Sequence, residues 1–384
     1  MRRRLTSTES TRAMPEPRDW TPYVEAGLVE SHGADPTRRE LLEFLIEQGC
    51  ELDEMVDANQ RGRLFALAGD RIISPGARAF TLADVAEQVR GSEATVRQLW
   101  RALGLPGWDG DEPVASRDDA VALRPLVRAM PVLGEDRSIE LARSIGQGLS
   151  RIGDATNAIL RSVSPAGTVA TSGSELETAR YWARNATFYP ALGRVLDVFF
   201  RHHHDLARTH FEQADSFELL ARRLVRVAVG FVDMTGFTAA AEDLGEEEFA
   251  RLVTSFSTWV GETVHDLGGR VVKFVGDAAM IVAPASTTLA TIVGELIADQ
   301  GSRGGLTLHA GLAQGELLTL EGDYFGSAVN LAARLAALAG PGDVLATAPV
   351  GEALADVGWD VEWVAPQQIR GMTDPIAACL VHQR

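Results

Sequence analysis

From about Tyr23 to His210, apolar residues recur at three- and four-residue intervals, the rhythm of one helix face after another. Over Arg38 to Gln48 the apolar positions are Leu41, Leu42, Phe44, Leu45 and Ile46; over Arg137 to Val163 they are Ile139, Leu141, Ile145, Leu149, Ile152 and Ile159. Each stretch predicts a helix with an apolar stripe. Pro165, Gly167, Ser172 and Gly173 predict a break, and Ser174 followed by Glu177 predicts a capped restart. A long helix is predicted after Pro190, through Phe199 and Phe200 toward His210.

Past Leu224 the rhythm changes. Leu224 to Val232 is almost wholly apolar and predicts a buried strand. Glu246 to Leu267 returns to helical spacing, with Phe249, Leu252, Val253, Phe256, Val260 and Val264 on one face, and Gly268-Gly269 ends it. Val271 to Val275 and Ala278 to Ala283 predict two strands joined at Gly276-Asp277, a two-residue hairpin signal. A helix over Leu289 to Asp299, a strand over Leu306 to Leu312 and a helix over Ser327 to Ala339 follow, the last stopped by Gly340-Pro341-Gly342. The order predicts two domains: an all-α N-terminal domain, then an α+β domain with helices on a mainly antiparallel sheet. The expected boundaries are a disordered tail over 1–20, a helical domain over 21–210, a linker over 211–223 and the α+β domain over 224–384.

Composition narrows the function classes. The 384 residues are 46% hydrophobic and 23% charged, enough to bury two cores. A formal net charge of -17 argues against a protein that grips nucleic acid with a broad basic surface. A nucleotide substrate remains compatible, because metal ions supply local positive charge. Cys50 and Cys379 suggest no disulfide framework. No run of eighteen apolar residues predicts a membrane span. Arg2, Arg3 and Arg4 precede no apolar stretch, so the start is not a secretory signal, and a cytoplasmic location is expected.

The candidate chemistry lies in the second half. Asp233 follows the apolar strand, in GFVDMTGFT, and Asp277 sits at the hairpin tip, in VKFVGDAAM. Two carboxylates brought together repel unless a cation lies between them, and hard oxygen ligands suit magnesium or manganese. The Gly-containing turn Met234-Thr235-Gly236-Phe237-Thr238 would offer backbone N–H groups to phosphate oxygens. Asn330 and Arg334 are four apart, so they project from one helix face, where they would bind phosphate or charge developing on it.

Together, GFVDMTGFT, KFVGD and GDYFGSAVNLAAR resemble the class III adenylate and guanylate cyclase catalytic domain, in the family's order and spacing, over about Arg223 to Arg384. The resemblance implies a ferredoxin-like catalytic domain that works as a homodimer, with each active site at the subunit interface. It implies that Asp233 and Asp277 bind two magnesium or manganese ions, aided by the Met234 carbonyl. It implies that Lys273 and Asp323 read the base, that Asn330 orients the ribose and that Arg334 stabilises the transition state. Metal carboxylates come from one chain, the other groups from its partner. Arg370, in QQIRGMTDP, stands where the family often keeps a basic residue for the triphosphate. A Lys donor and an Asp acceptor complement the adenine edge and mismatch guanine, which favours ATP as substrate. The implied activity is conversion of ATP to cyclic AMP.

The arrangement of a helical domain ahead of the catalytic one resembles mycobacterial soluble adenylate cyclases with an N-terminal regulatory domain, which implies regulation by pH or lipid. Three features there stay open. Phe80 to Ala86 and Ser92 to Trp100 look like a helix-turn-helix, the basis for a DNA-binding regulator, although Asp84, Glu87 and Glu93 would meet phosphate. His202, His203, His204 and His210 would titrate near neutrality. Phe199, Phe200, Trp182 and Tyr189 would line a site for an acyl chain, a fatty acid or lipid. A non-catalytic nucleotide sensor is the remaining alternative.

Overall fold

A computed structural model describes residues 18–30, 36–74, 76, 78–106, 112–162, 173–213, 223–237, 242–300, 307–368 and 375–382. It divides into two compact units, Met1–Phe199 and Phe200–Arg384. No described helix is long and apolar enough to cross a membrane.

The first unit is helical: α1 (Thr21–Glu25), α2 (Pro36–Glu47), α3 (Leu52–Gln60), α4 (Leu67–Ile73), α5 (Leu82–Val89), α6 (Glu93–Ala102), α7 (Arg117–Leu133), α8 (Glu135–Ser162), α9 (Glu175–Ala186) and α10 (Phe188–Gln213), which continues past the division. It holds two small cores. Leu41, Leu42, Leu45, Met55, Leu176 and Ala179 make one, across α2, α3 and α9. Val85, Val96, Leu99, Trp100, Leu123 and Ala142 make the other, across α5 to α8. Side-chain caps set the helix starts: Ser92 Oγ accepts from Thr95 N at 3.1 Å, and Ser174 Oγ accepts from Glu177 N at 3.3 Å, the restart read from sequence. The break expected over 165–172 lies outside the described residues.

Three expectations change here. Trp20, assigned to the tail, packs edge-on against Tyr23 at 5.4 Å and joins the first core. On α8 the predicted stripe is only partly core. Ile139 is packed, whereas Leu141, Ile145, Leu149, Ile152 and Ile159 are exposed. Phe199 and Phe200 also project outward, so they line no interior acyl site.

The second unit runs β1 (Leu224–Met234), α11 (Glu246–Asp266), β2 (Arg270–Val275), β3 (Ala278–Ala283), α12 (Ser286–Asp299), β4 (Leu308–Leu320), β5 (Asp323–Phe325), α13 (Ser327–Ala336), β6 (Val344–Thr347), α14 (Ala348–Ala355), β7 (Asp360–Trp363) and β8 (Ala378–His382). The sheet order is β2-β3-β1-β4-β6-β8-β7, with β5 paired to β4. Every pairing is antiparallel except β4 with β6. β4 extends well beyond Leu312 because it pairs along the whole of β1, from Leu224 opposite Leu318 to Met234 opposite Leu308. α13 stops at Ala336, short of the predicted Ala339.

The period of two sorts the strands onto two faces. Ala228, Val232 and Met234 of β1 enter the large core with Phe256 of α11, Leu289 of α12 and Leu354 of α14. Val225, Val227 and Val229 face the other way, against Ala328 and Ala332 of α13. A Cβ on Gly311 would stand 2.2 Å from both Ala332 O and Ala336 N, so only glycine lets α13 lie this close to β4. At the β2–β3 tip Val275 pairs with Ala278, and Gly276 takes φ +64°, the left-handed backbone of a two-residue hairpin.

Candidate functional site

β1 runs two residues further than its apolar stretch and so includes Asp233 and Met234. Asp233 shares parity with Val225, Val227 and Val229 and therefore lies on the α13 face. Met234 buries its side chain in the opposite core, which leaves only its main chain for chemistry. The hairpin turn brings Asp277 to Asp233. The two carboxyls interact directly, and burial followed by Asp277's charge pushes the Asp233 carboxyl above the usual carboxylate range. Asp233 Oδ1 is buried and has no hydrogen-bond partner among the described residues. Two hard oxygen donors, one of them buried and unsatisfied, fit a divalent cation. No group of three or more His, Cys, Asp or Glu that could hold a metal ion by itself occurs among the described residues. The rest of a coordination shell would thus come from main chain, water or phosphate, as magnesium commonly takes it.

Lys273 on β2 stands opposite Met280, whose side chain belongs to the α13 face. Its ammonium forms an ion pair with Asp323 at the start of β5, and Asp323 Oδ1 also accepts from Tyr324 N at 2.8 Å. The structure thus brings the two expected base-reading residues together within one chain. Asn330 is exposed on α13 and Arg334 is half-buried one turn later. Arg334 makes no ion pair among the described residues. Phe237 packs its ring on Phe249 at 5.3 Å, just after the turn at Gly236. Thr238 and Arg370 lie outside the described residues.

Sequence reading missed one pair of groups here. His309 of β4 lies directly across from Asp233, with Nε2 3.8 Å from Asp233 Oδ2. The Thr235 hydroxyl shares a 3.0 Å hydrogen bond with His309 Nδ1. The available signal was a histidine between Leu308 and Ala310 in an otherwise apolar strand start, of the parity that faces α13.

Exposed apolar residues on nearby strands are Phe274 and Val275 on β2, Leu318 on β4 and Phe325 on β5; Val275 shares the parity of Lys273, whereas Phe274 sets its ring against Phe256 of the opposite core at 6.1 Å. In the first unit, α5 and α6 do form at the helix-turn-helix-like segment, and Arg97 on α6 is tied to Glu93. His202, His203 and His204 are exposed on α10, where Phe200 stacks with His204 at 6.3 Å.

Residues 25–205 match the family described as the adenylate cyclase regulatory domain. Among curated proteins, the uncharacterized protein Rv2212 of Mycobacterium tuberculosis is 38% identical over 91% of this chain and 92% of its own length. The pH-sensitive adenylate cyclase MT1302 of the same species is 28% identical over 87% of this chain and 85% of its own length. An adenylate cyclase of Streptomyces coelicolor is 29% identical over 75% of each chain. Among solved structures, the adenylyl cyclase CyaB from P. aeruginosa is 21% identical, with a TM-score of 0.38, over 42% of this chain and 95% of that one. With a regulatory family covering its helical unit, near full-length relatives and a catalytic motif set in its sheet unit, the chain belongs to the class III adenylate cyclase family.

Proposed function

We propose that this protein is an adenylate cyclase that converts ATP to 3′,5′-cyclic AMP and pyrophosphate as a homodimer. The observation that carries the reading is the buried Oδ1 of Asp233, without a hydrogen-bond partner among the described residues, on a carboxyl that interacts with a second one, Asp277. Such a pair is unfavourable by itself and becomes favourable around a cation bearing a triphosphate. Asp233, Asp277 and the Met234 carbonyl would hold two magnesium or manganese ions, whose charge would make the ribose 3′-hydroxyl more acidic and neutralise phosphate.

The chain's own groups do the rest. Lys273 donates to adenine N1 and Asp323 accepts from the exocyclic amine; without a nucleotide the two satisfy each other. Guanine presents the reverse pattern and would leave both unpaired, at about 1–3 kcal/mol per group. The partner subunit contributes this base-reading pair together with Asn330 and Arg334. Asn330 holds the ribose so that its 3′-oxygen lies in line with the α-phosphorus. Arg334 donates to the α-phosphate oxygens as charge builds on them and pyrophosphate leaves. Main-chain N–H groups at Phe237 and Thr238, and the Arg370 guanidinium, bind the triphosphate. The exposed apolar residues Phe274, Val275, Leu318 and Phe325, and the exposed stripe on α8, supply surface for the second subunit. Two buried unpaired cysteines suit a reducing cytoplasm.

The test is cyclic AMP formation from ATP with manganese in the purified full-length chain. Activity is expected, with loss in Asp277→Ala. Lys273→Glu with Asp323→Lys is expected to cut the ATP-over-GTP preference by about 30-fold or more. A folded dimer that makes no cyclic AMP, with or without manganese, favours the nucleotide sensor instead.

A further inference from the structure

We infer that His309, held by Thr235, is a positioning residue that fixes the Asp233 carboxylate for cation binding. The inference rests on the metal-binding reading of Asp233 and goes beyond it. Three observations on different parts of the chain meet. The β1–β4 register sets His309 directly opposite Asp233, so the two side chains leave the sheet side by side. His309 is only 15% exposed, which restricts its ring. The Thr235 hydroxyl occupies Nδ1 at 3.0 Å, and Thr235 is itself pinned by a 2.8 Å bond from its N–H to Thr307 O.

We assign the Thr235 hydroxyl as the donor to Nδ1, because that tautomer carries its proton on Nε2, the atom that faces Asp233 Oδ2. At 3.8 Å this is an electrostatic hold rather than a direct hydrogen bond. The two carboxylate oxygens are thereby given different work. Oδ2 faces the imidazole, and Oδ1, which has no hydrogen-bond partner among the described residues, is left for the cation. Groups that hold a ligating side chain from behind act this way in metal sites generally.

The experiment uses full-length protein and manganese alone, with bound and free Mn2+ separated by electron paramagnetic resonance. His309→Phe keeps the ring's volume and removes both nitrogens. It is expected to weaken Mn2+ binding by roughly 10- to 100-fold, and to raise the manganese needed for half-maximal cyclisation in parallel. His309→Gln, which retains a donor near the Nε2 position, is expected to recover most of the affinity. Wild-type Mn2+ affinity in a folded His309→Phe chain overturns the inference. If that chain does not fold, Thr235→Val, altered on the exposed side, decides: a several-fold loss supports the relay and no loss overturns it. Asp233→Asn separates the two claims. If it too binds Mn2+ normally, the metal-binding reading itself has failed; if it alone loses Mn2+, only the positioning role has.

Discussion

The two units treat their polar and apolar groups in opposite ways. In the sheet unit, Asp233, Lys273 and His309 come from three strands yet share one face, because strand register dictates which side chains meet. In the helical unit the polar groups mainly secure ends and joints. Thr81 and Asp84 cap α5 reciprocally, and Arg38 bridges Glu175 and Asn59 while donating to Leu28 O at 3.1 Å. What that unit leaves over is apolar: the outward rows on α8 and α10. A catalytic module thus reveals itself through costly charges held close together, and a regulatory module through surface not yet covered.

That contrast is sharpest at Arg334. If the sheet unit is built for charge stabilisation, Arg334→Ala lowers kcat by about 100- to 1000-fold while leaving the melting temperature nearly unchanged. A loss that appears only as unfolding would move Arg334 into the structural class. Next comes Gly311, which tests how strictly α13 is placed. Gly311→Ala forces its methyl into the α13 backbone and is expected to cost about 1–3 kcal/mol in chemical denaturation. Unchanged stability would mean that α13 moves freely.

A smaller effect concerns the crowded carboxylates. The folded value of Asp233 is raised above its ordinary 3.8, so its ionised form is disfavoured by folding. Metal-free protein should therefore gain stability as pH falls through the raised value, and lose that gain as pH rises. Asp233→Asn keeps the gain at neutral pH, raising the metal-free melting temperature by on the order of 2 °C. Added manganese should remove the advantage, and an unaltered or lower melting temperature would contradict the repulsion. The smallest effect belongs to the helical unit. Leu149→Gln with Ile152→Gln on α8 should shift chain stability by under about 0.5 kcal/mol, because both are exposed. Sedimentation should nonetheless show weaker self-association.

The sequence made different parts of this legible to different degrees. Asp233 and Asp277 stood out because charges at the ends of apolar runs demand a reason. The Gly276-Asp277 turn was readable because a two-residue hairpin needs a left-handed residue. The far half of β4 was not, because Gln314, Gly315 and Glu316 weaken strand propensity; pairing with β1 overrides it, with Arg226 bonded to Glu316 at 3.1 Å. The Thr235–His309 contact spans 74 residues, and only register discloses it. On α8, a period of 3.6 identifies an apolar face but not what covers it, so a stripe exposed in the single chain looks the same in sequence as one in its core.

The central claim is that each active site is shared, with acids from one chain and Arg334 from the other. Asp277→Ala and Arg334→Ala chains, each nearly inactive alone, should regain activity when mixed under conditions that exchange subunits. Random pairing gives one intact site in half of the dimers, about a quarter of wild-type activity. Heterodimers captured through two different tags that remain as inactive as their parents would contradict it.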